Sequence, residues 1–318
     1  MRTQNLFVVF AVLALLGFRA PSCFTEEPAM IKLTQEKATI KVEIDGKPFT
    51  TYYFADGLGL PYSRPFFFPV LASDGTAVTS DQAHDPSKDH HPHHRSMWVA
   101  HGDVNGANHW ALDGEKTPKQ RHIAFTKVDG DTIEEQLEWE GLTKEPILKE
   151  TRTFRFYGFK DGSRGVDFKI VLTPVSAPVI LGDTKEAGLC SVRMANAISA
   201  KPTLTNSKGA TEEKEMWGKP ADWCDESGEI NGKTYGIAIL DHPENPRFPT
   251  CWHVRAYGLM SANPFGLHDF DGKANPKGAG ALTIEKDKPV TFKYRVIIHT
   301  GDAKSANLDE KQKEFAKP

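Results

Sequence analysis

Apolar and polar residues alternate over many short stretches of the chain. This period of two puts every second side chain on the same face of an extended strand, and it occurs at 40–44, 49–54, 133–139, 154–156, 166–172 and 290–298. Helical periodicity is nearly absent until 302–317, a segment rich in Ala, Lys and Glu that predicts one short helix. The pattern therefore predicts a chain built mainly from strands that each have one face on a core.

Short turn motifs separate these stretches and indicate antiparallel pairing. An Asp or Asn followed by Gly favours the tight turn between neighbouring antiparallel strands, and such pairs occur at Asp45-Gly46, Asp129-Gly130, Asp161-Gly162, Asn231-Gly232 and Asp271-Gly272. The alternation of strands and helices that is typical of a parallel sheet is not visible. We therefore expect an all-β fold, a large antiparallel β-sandwich of the supersandwich kind, with a short C-terminal helix.

The first residues have the order of a secretory signal. Arg2 is followed by an apolar run over 6–18 and then by Ala20-Pro21-Ser22-Cys23, and the run is shorter than the about 20 apolar residues that a bilayer span needs. We predict a signal peptide over 1–23 and a single large β-sandwich domain over 24–318. The protein is then exported, periplasmic or associated with the outer envelope, with Cys23 as an attachment point for a lipid anchor.

Charge and cysteine usage exclude several classes of protein. A formal net charge of -3 over 318 residues provides no basic surface for nucleic acid, and no segment after Cys23 is apolar enough to predict a transmembrane segment. Cys190, Cys224 and Cys251 are widely spaced, fit no CxxC metal motif and allow at most one disulfide.

Histidine is densest between residues 89 and 110. Imidazoles ligate transition metals and move protons near neutral pH, so this segment supplies the first candidate site. Because alternate residues of an extended segment point the same way, His91, His93 and His101 are candidate ligands of a divalent metal ion. Pro92 indicates an extended or turning backbone, not a helix. The candidate catalytic residues here are His93, His94, His101 and Asp103, and the candidate substrate-binding residues are Arg95, Trp98 and Asn105.

A second polar group lies near the end of the chain. In the extended segment that begins at Trp252, the side chains of His253, Arg255 and Tyr257 share one face and offer a proton carrier, a cation and a phenol together. We expect His253 to be catalytic and the other two, with Asn263, to bind substrate. The alternative is an amphipathic strand whose polar face is only solvated.

The region between the two groups adds a carboxylate, a cation and two tryptophans. Glu186 is the carboxylate expected to be catalytic together with a histidine, and Arg193 and Trp217 are candidate substrate-binding residues. Trp217 and Trp223 have two interpretations, because exposed tryptophans stack on sugar rings and buried ones fill β-sheet cores.

Several phrases of the chain resemble exported bacterial proteins labelled the PmoA family, a set otherwise called a domain of unknown function. The phrases are Arg64-Pro65-Phe66-Phe67-Phe68-Pro69-Val70, His91-Pro92-His93-His94-Arg95, His101-Gly102-Asp103-Val104-Asn105-Gly106, Asp183-Thr184-Lys185-Glu186, Asp241-His242-Pro243-Glu244-Asn245-Pro246, Trp252-His253-Val254-Arg255 and Asn263-Pro264-Phe265-Gly266. An extra histidine, His90, departs from the family's pattern. The label does not imply methane oxidation, because a methane monooxygenase subunit would span a membrane several times.

The length and strand content are also similar to the large β-sandwich of galactose-mutarotase-like proteins. Those proteins use a histidine and a glutamate on a concave sheet, and the resemblance implies a comparable sugar site. It is a likeness of fold, so the chemistry has to be argued from the residues of the site.

Three functions are compatible with these residues. The first is a carbohydrate-active protein in which a histidine moves a proton, Glu186 is the opposing base and Arg255 stabilises negative charge, in an epimerase, lyase or glycoside hydrolase. The second is a metal-dependent hydrolase, lyase or oxygenase whose imidazoles hold a divalent ion. The third is a non-catalytic sugar-binding protein. The first two require the histidine-rich segment and the strand at 252–257 to meet in the folded chain.

Overall fold

The structure is a computed structural model that describes residues 29–56, 62–83, 91–112 and 116–317. The predicted signal peptide, with its lipid-attachment point Cys23, lies outside the described residues, as does His90.

The described residues form 18 strands and four helices. The strands are β1 Ile31–Gln35, β2 Thr39–Ile44, β3 Lys47–Tyr53, β4 Phe66–Val70, β5 Met97–His101, β6 Gln120–Asp129, β7 Thr132–Glu140, β8 Pro146–Gly158, β9 Arg164–Pro174, β10 Val179–Leu181, β11 Ala187–Arg193, β12 Thr203–Asn206, β13 Trp223–Ile230, β14 Lys233–Asp241, β15 Trp252–Arg255, β16 Leu259–Ala262, β17 Leu282–Ile284 and β18 Val290–Thr300. The helices are α1 Asn196–Ser199, α2 Glu213–Met216, α3 Leu267–Phe270 and α4 Leu308–Phe315.

Two eight-stranded antiparallel sheets account for nearly all of these strands. Sheet I has the order β1-β2-β3-β4-β5-β11-β16-β15, and sheet II has the order β12-β13-β14-β18-β9-β8-β7-β6. Strands β10 and β17 form a separate antiparallel pair. The predicted all-β sandwich with a short C-terminal helix is confirmed, and that helix is α4.

The alternation in the sequence is the alternation between the core and the opposite face of each sheet. Ile40, Val42 and Ile44 of sheet I belong to the same buried cluster as residues of sheet II such as Phe154 and Val166. The space between the sheets is therefore a continuous apolar core, which holds the two sheets together because burial of apolar surface stabilises each layer only when the other covers it.

A buried polar cluster crosses this core at one end of sheet II. Arg152 donates to Glu150 through Nε at 2.6 Å and Nη2 at 2.8 Å, and Nη2 also donates to Gln120 Oε1 at 3.0 Å. The hydroxyl of Tyr52, from sheet I, donates to Glu135. Burial raises the pKa of the Glu135 carboxyl. The bond to His122 and the charge of Arg152 lower that pKa, but burial has the larger effect.

Cys190, Cys224 and Cys251 are free thiols. Of the helices within the described ranges, none has both the length and the apolar character that crossing a bilayer demands.

Candidate functional site

The candidate site lies on the face of sheet I that is turned away from the core, here called the outer face. On β5, Met97 and Val99 belong to the core, so Trp98 between them faces outward. Strand register then aligns four outward positions on adjacent strands: Trp98 is opposite Ser191, Ser191 opposite Ser261, and Ser261 opposite His253. The hydroxyls of Ser191 and Ser261 bond to each other. This row joins the two polar groups of the sequence across β5, β11, β16 and β15.

Aromatic side chains form one side of the outer face. Phe66, Trp98 and Trp110 are buried together, and Tyr53 and Tyr257 pack against them while remaining partly exposed. This second apolar cluster is separate from the core between the sheets. It gives the neighbouring loop a rigid base, because closely packed aromatic rings leave little room for side-chain movement.

The loop before β5 brings together His91, His93 and His94, here called the imidazole cluster. One ligand atom from each ring lies within 4.8 Å of those of the other two. The backbone turns tightly at this point, because His94 N donates to His91 O at 2.8 Å. The ring of His94 stacks on Trp98 with centroids 5.6 Å apart, and burial lowers its pKa well below the ordinary value.

Arg95 holds this loop in place through a buried ion pair. Its Nε and Nη2 donate to the two carboxylate oxygens of Asp81 at 2.7 and 3.2 Å, and both side chains are fully buried. Its guanidinium also lies 3.8 Å from the centre of the Phe66 ring. Arg95 thus holds the loop in place, a different role from the substrate contact expected from the sequence.

Tyr257 links the imidazole cluster to the far strands of sheet I. Its ring stacks on that of His91 at 5.2 Å and 18°, and the guanidinium of Arg193 lies 4.8 Å from its centroid. Arg193 also donates to His94 Nδ1 at 3.5 Å. The histidine-rich segment and the segment that follows Trp252 therefore meet around one phenol ring.

His253, on β15, is held in a defined tautomer. Its Nδ1 lies 2.6 Å from the carbonyl oxygen of Lys185, and because a carbonyl only accepts, Nδ1 carries the proton and Nε2 has a free lone pair. Burial lowers its pKa to about 4, so the ring is neutral at physiological pH. The rings of Trp217 and Phe270 meet it edge-on.

Arg255 and Trp217 form a unit at the edge of the site. The guanidinium lies 3.8 Å from the centre of the indole and donates to Glu213 Oε1 at 2.7 Å. The other carboxylate oxygen of Glu213 accepts from Ala256 N at 2.8 Å. Because Arg255 is already paired, its charge is largely balanced before any ligand binds.

Two further predicted residues lie beside His253. Asn263 donates to the carbonyl oxygens of Thr184 and Lys185 and accepts from Phe265 N and Gly266 N, so its amide is fully used in fixing the loop before β11. Glu186 ends that loop, is partly exposed, and acts electrostatically on Tyr257. Trp223, by contrast, fills a buried cluster beside α4, where its indole donates to Asp309.

His101, Asp103 and Asn105 lie away from this site. The alternation of β5 turns His101 to the core side, where its ring meets Phe265 at 4.7 Å. Its Nδ1 accepts from Asp103 N at 3.0 Å, and burial lowers its pKa to about 3. The side chains of Asp103 and Asn105 accept from Gly106 N and Ile180 N. The third imidazole beside His91 and His93 is accordingly that of His94.

Sequence reasoning missed two glutamates near the site. Glu213 pairs with Arg255, and Glu226 is fully buried on β13, where Ser199 donates to it at 3.5 Å and Arg193 acts on it electrostatically. Burial raises the pKa of Glu226 well above its ordinary value. The available signal was an acidic pair, Asp225-Glu226, inside a strand whose neighbours are Trp, Cys and Ser.

Residues 39–313 match the family of unknown function DUF6807. No protein of the curated set matches the sequence. Among solved structures, the chain is similar to a GalM/aldose epimerase homologue from C. elegans, with 7% identity, a TM-score of 0.36, and coverage of 86% of this chain and 99% of that one. A galactose 1-epimerase from Lactobacillus acidophilus gives 7% identity, a TM-score of 0.36 and the same coverage of both chains.

Proposed function

The chain belongs to the DUF6807 family, and because the function of that family is unknown, we propose one from the site alone: the protein binds a carbohydrate on the outer face of sheet I and transfers a proton to or from it. One observation carries the proposal. Imidazole and guanidinium groups from distant parts of the chain lie against the phenol ring of Tyr257, which packs in turn against the buried aromatic cluster of Phe66, Trp98 and Trp110.

The mixture of groups suits a sugar. Sugar rings have apolar C–H faces that stack on aromatic side chains, and hydroxyls that need donors and acceptors in fixed positions. Tyr257 and Trp217 are partly exposed rings, and each has a guanidinium over it, Arg193 and Arg255 respectively. A ligand that used only charge would not need the rings, and one that used only apolar contact would not need the paired cations.

Proton transfer follows from the state of His253. Its Nε2 lone pair is free because Nδ1 donates to Lys185 O, and a neutral imidazole can accept a proton from a sugar hydroxyl or from a carbon next to a carbonyl group. The negative charge left on the substrate would lie near Arg255, the guanidinium that acts electrostatically on His253. Burial raises the pKa of Tyr257, so its phenol keeps the proton that it could return to the substrate.

The first prediction separates binding from turnover. His253→Gln keeps a side-chain donor near Lys185 O but removes the base, so we expect turnover to fall by on the order of 100-fold or more, the usual contribution of a general base, with substrate affinity nearly unchanged. The measurement is an assay of the purified chain on a panel of neutral and acidic oligosaccharides, by NMR for turnover and by calorimetry for binding.

Two variants control this test. Trp217→Ala should weaken binding without selectively removing turnover, whereas His268→Gln, a change in α3 of a ring that bonds to Asn275 O, should alter neither. Binding without turnover by the wild type on every sugar would remove the catalytic half of the proposal and favour a sugar-binding protein. The absence of any binding to the panel would remove the whole.

A further inference from the structure

We propose that the imidazole cluster of His91, His93 and His94 binds one divalent transition-metal ion, with Zn²⁺ as the reference ion. This goes beyond the proposed function, since a sugar site with proton transfer needs no metal. It also differs from the set expected from sequence alternation, which had His101 in place of His94.

The spacing of the ligand atoms fits such an ion after a small closure. Zn–N bonds near 2.0–2.1 Å place the nitrogens of a tetrahedral site roughly 3.3 Å apart. The three ligand atoms of the imidazole cluster lie within 4.8 Å of one another. To reach this spacing, the ligand nitrogens must move closer together by about 1 Å, a modest rotation for partly exposed rings on a loop. His91 and His93 are both partly exposed.

The surroundings hold the cluster together without an ion. His94 is wedged between Trp98 and Trp110, with ring centroids 5.6 and 6.0 Å away. The ring of His91 stacks both on the ring of His94 and on the ring of Tyr257, and these contacts hold His91 in position. A site whose ligands are already gathered loses less conformational entropy when the metal binds.

Arg193 decides which nitrogen of His94 is used. A guanidinium only donates, so the 3.5 Å contact makes His94 Nδ1 an acceptor and leaves the proton on Nε2. A metal ion that binds Nδ1 must replace this contact, and one that binds Nε2 must move the ring proton to Nδ1, against Arg193. Arg193 therefore opposes the ion, both by occupying the nitrogen and by its charge.

Three imidazoles leave room for further ligands. Imidazole ligands suit Zn, Cu, Fe and Ni. Three protein ligands with an open position are typical of catalytic metal centres, in which water or substrate completes the coordination. Such an open position would lie close to Tyr257, the residue shared with the proposed sugar site.

The test uses the whole chain without a polyhistidine tag, stripped of metal with a chelator. We expect calorimetric titration with Zn²⁺ to give one ion per chain, and Co²⁺ to give the visible absorption of a site with nitrogen ligands. His93→Asn should weaken Zn²⁺ binding by at least about 100-fold, the upper end of what losing an outer-sphere partner alone costs. Arg193→Met should tighten it.

Matched variants make the result decisive. His268→Asn removes a partly exposed histidine elsewhere and should leave the affinity unchanged, and circular dichroism with thermal melting verifies that each variant folds. Less than one ion per chain, or full retention of the ion by the His91→Asn/His93→Asn double variant, would overturn the proposal. Sugar binding measured with the chelator present reports on the proposed function independently.

Discussion

Replacing Arg152 by methionine is expected to destabilise the protein by about 3–5 kcal/mol, the usual cost of removing one partner of a buried ion pair. Methionine fills a similar volume but leaves the carboxylate of Glu150 buried without its cation. Glu135 also loses a nearby positive charge. Urea unfolding followed by tryptophan fluorescence at pH 7 measures the change in the free energy of unfolding.

Arg155→Met is the matched control for this variant. Arg155 lies on the same strand, β8, but its pair with Asp131 is solvent-exposed, at 66% and 36% of the side-chain surface. Exposed pairs contribute little, so we expect a change below about 1 kcal/mol. Equal losses in the two variants would contradict the importance of the buried cluster.

The pH dependence of Arg152→Met has a definite sign. Burial already holds the folded-state pKa of Glu135 above its ordinary value of 4.5. Without the cation that pKa rises further, so the folded protein holds a proton that the unfolded chain has released. Such stabilisation is complete below the ordinary pKa and is lost as pH rises through the raised one. The defect relative to wild type should therefore be smaller at pH 5 than at pH 8.

His101→Gln is expected to remove part of the acid sensitivity of the protein. Burial lowers the pKa of His101 to about 3, whereas the unfolded chain protonates near 6.5. Below pH 6.5 the unfolded chain thus binds a proton that the folded protein does not bind. The free energy of unfolding therefore decreases as the pH is lowered, until the pH reaches the folded-state pKa. Between pH 7 and pH 5 this group should cost about 2 kcal/mol, at 1.36 kcal/mol for each pKa unit.

The measurement compares the difference in unfolding free energy between pH 7 and pH 5 for wild type and variant, so that a constant loss of packing cancels. Asp241, whose pKa burial raises to about 7, contributes with the opposite sign in both proteins. His268→Gln should reproduce the wild-type difference. A variant that loses as much stability on acidification as wild type would show that His101 does not carry this sensitivity.

Strands could be predicted because their signal is local. The stretches 40–44, 166–172 and 290–298 alternate with a period of two, and all lie in strands of the two sheets. The Asp45-Gly46 and Asn231-Gly232 pairs, both with positive φ, connect neighbouring antiparallel strands. Export from the signal at 1–23 stays a prediction, as does the single domain over 24–318.

The candidate site was only partly accessible to sequence reasoning. Composition indicated that the loop at 91–95 and the strand at 252–255 carry polar chemistry, because imidazoles and guanidinium groups concentrate there. The side on which each residue lies depends on strand register. Nothing in the sequence distinguishes His101 from the nearby histidines of the same segment. In the fold, however, His101 occupies a core-facing position of β5, whereas His94 lies in the turn before that strand.

The sequence by itself determined the fold class, the antiparallel pairing and the identity of the polar segments, since backbone periodicity and turn chemistry act between near neighbours. Only the tertiary structure decided which imidazoles gather, that Arg95 pairs with Asp81, and that Tyr257 joins the two segments. Those contacts depend on the order of strands in sheet I, where β5 and β15 are separated by β11 and β16, and strand order is fixed by packing of the whole chain and not by any local pattern.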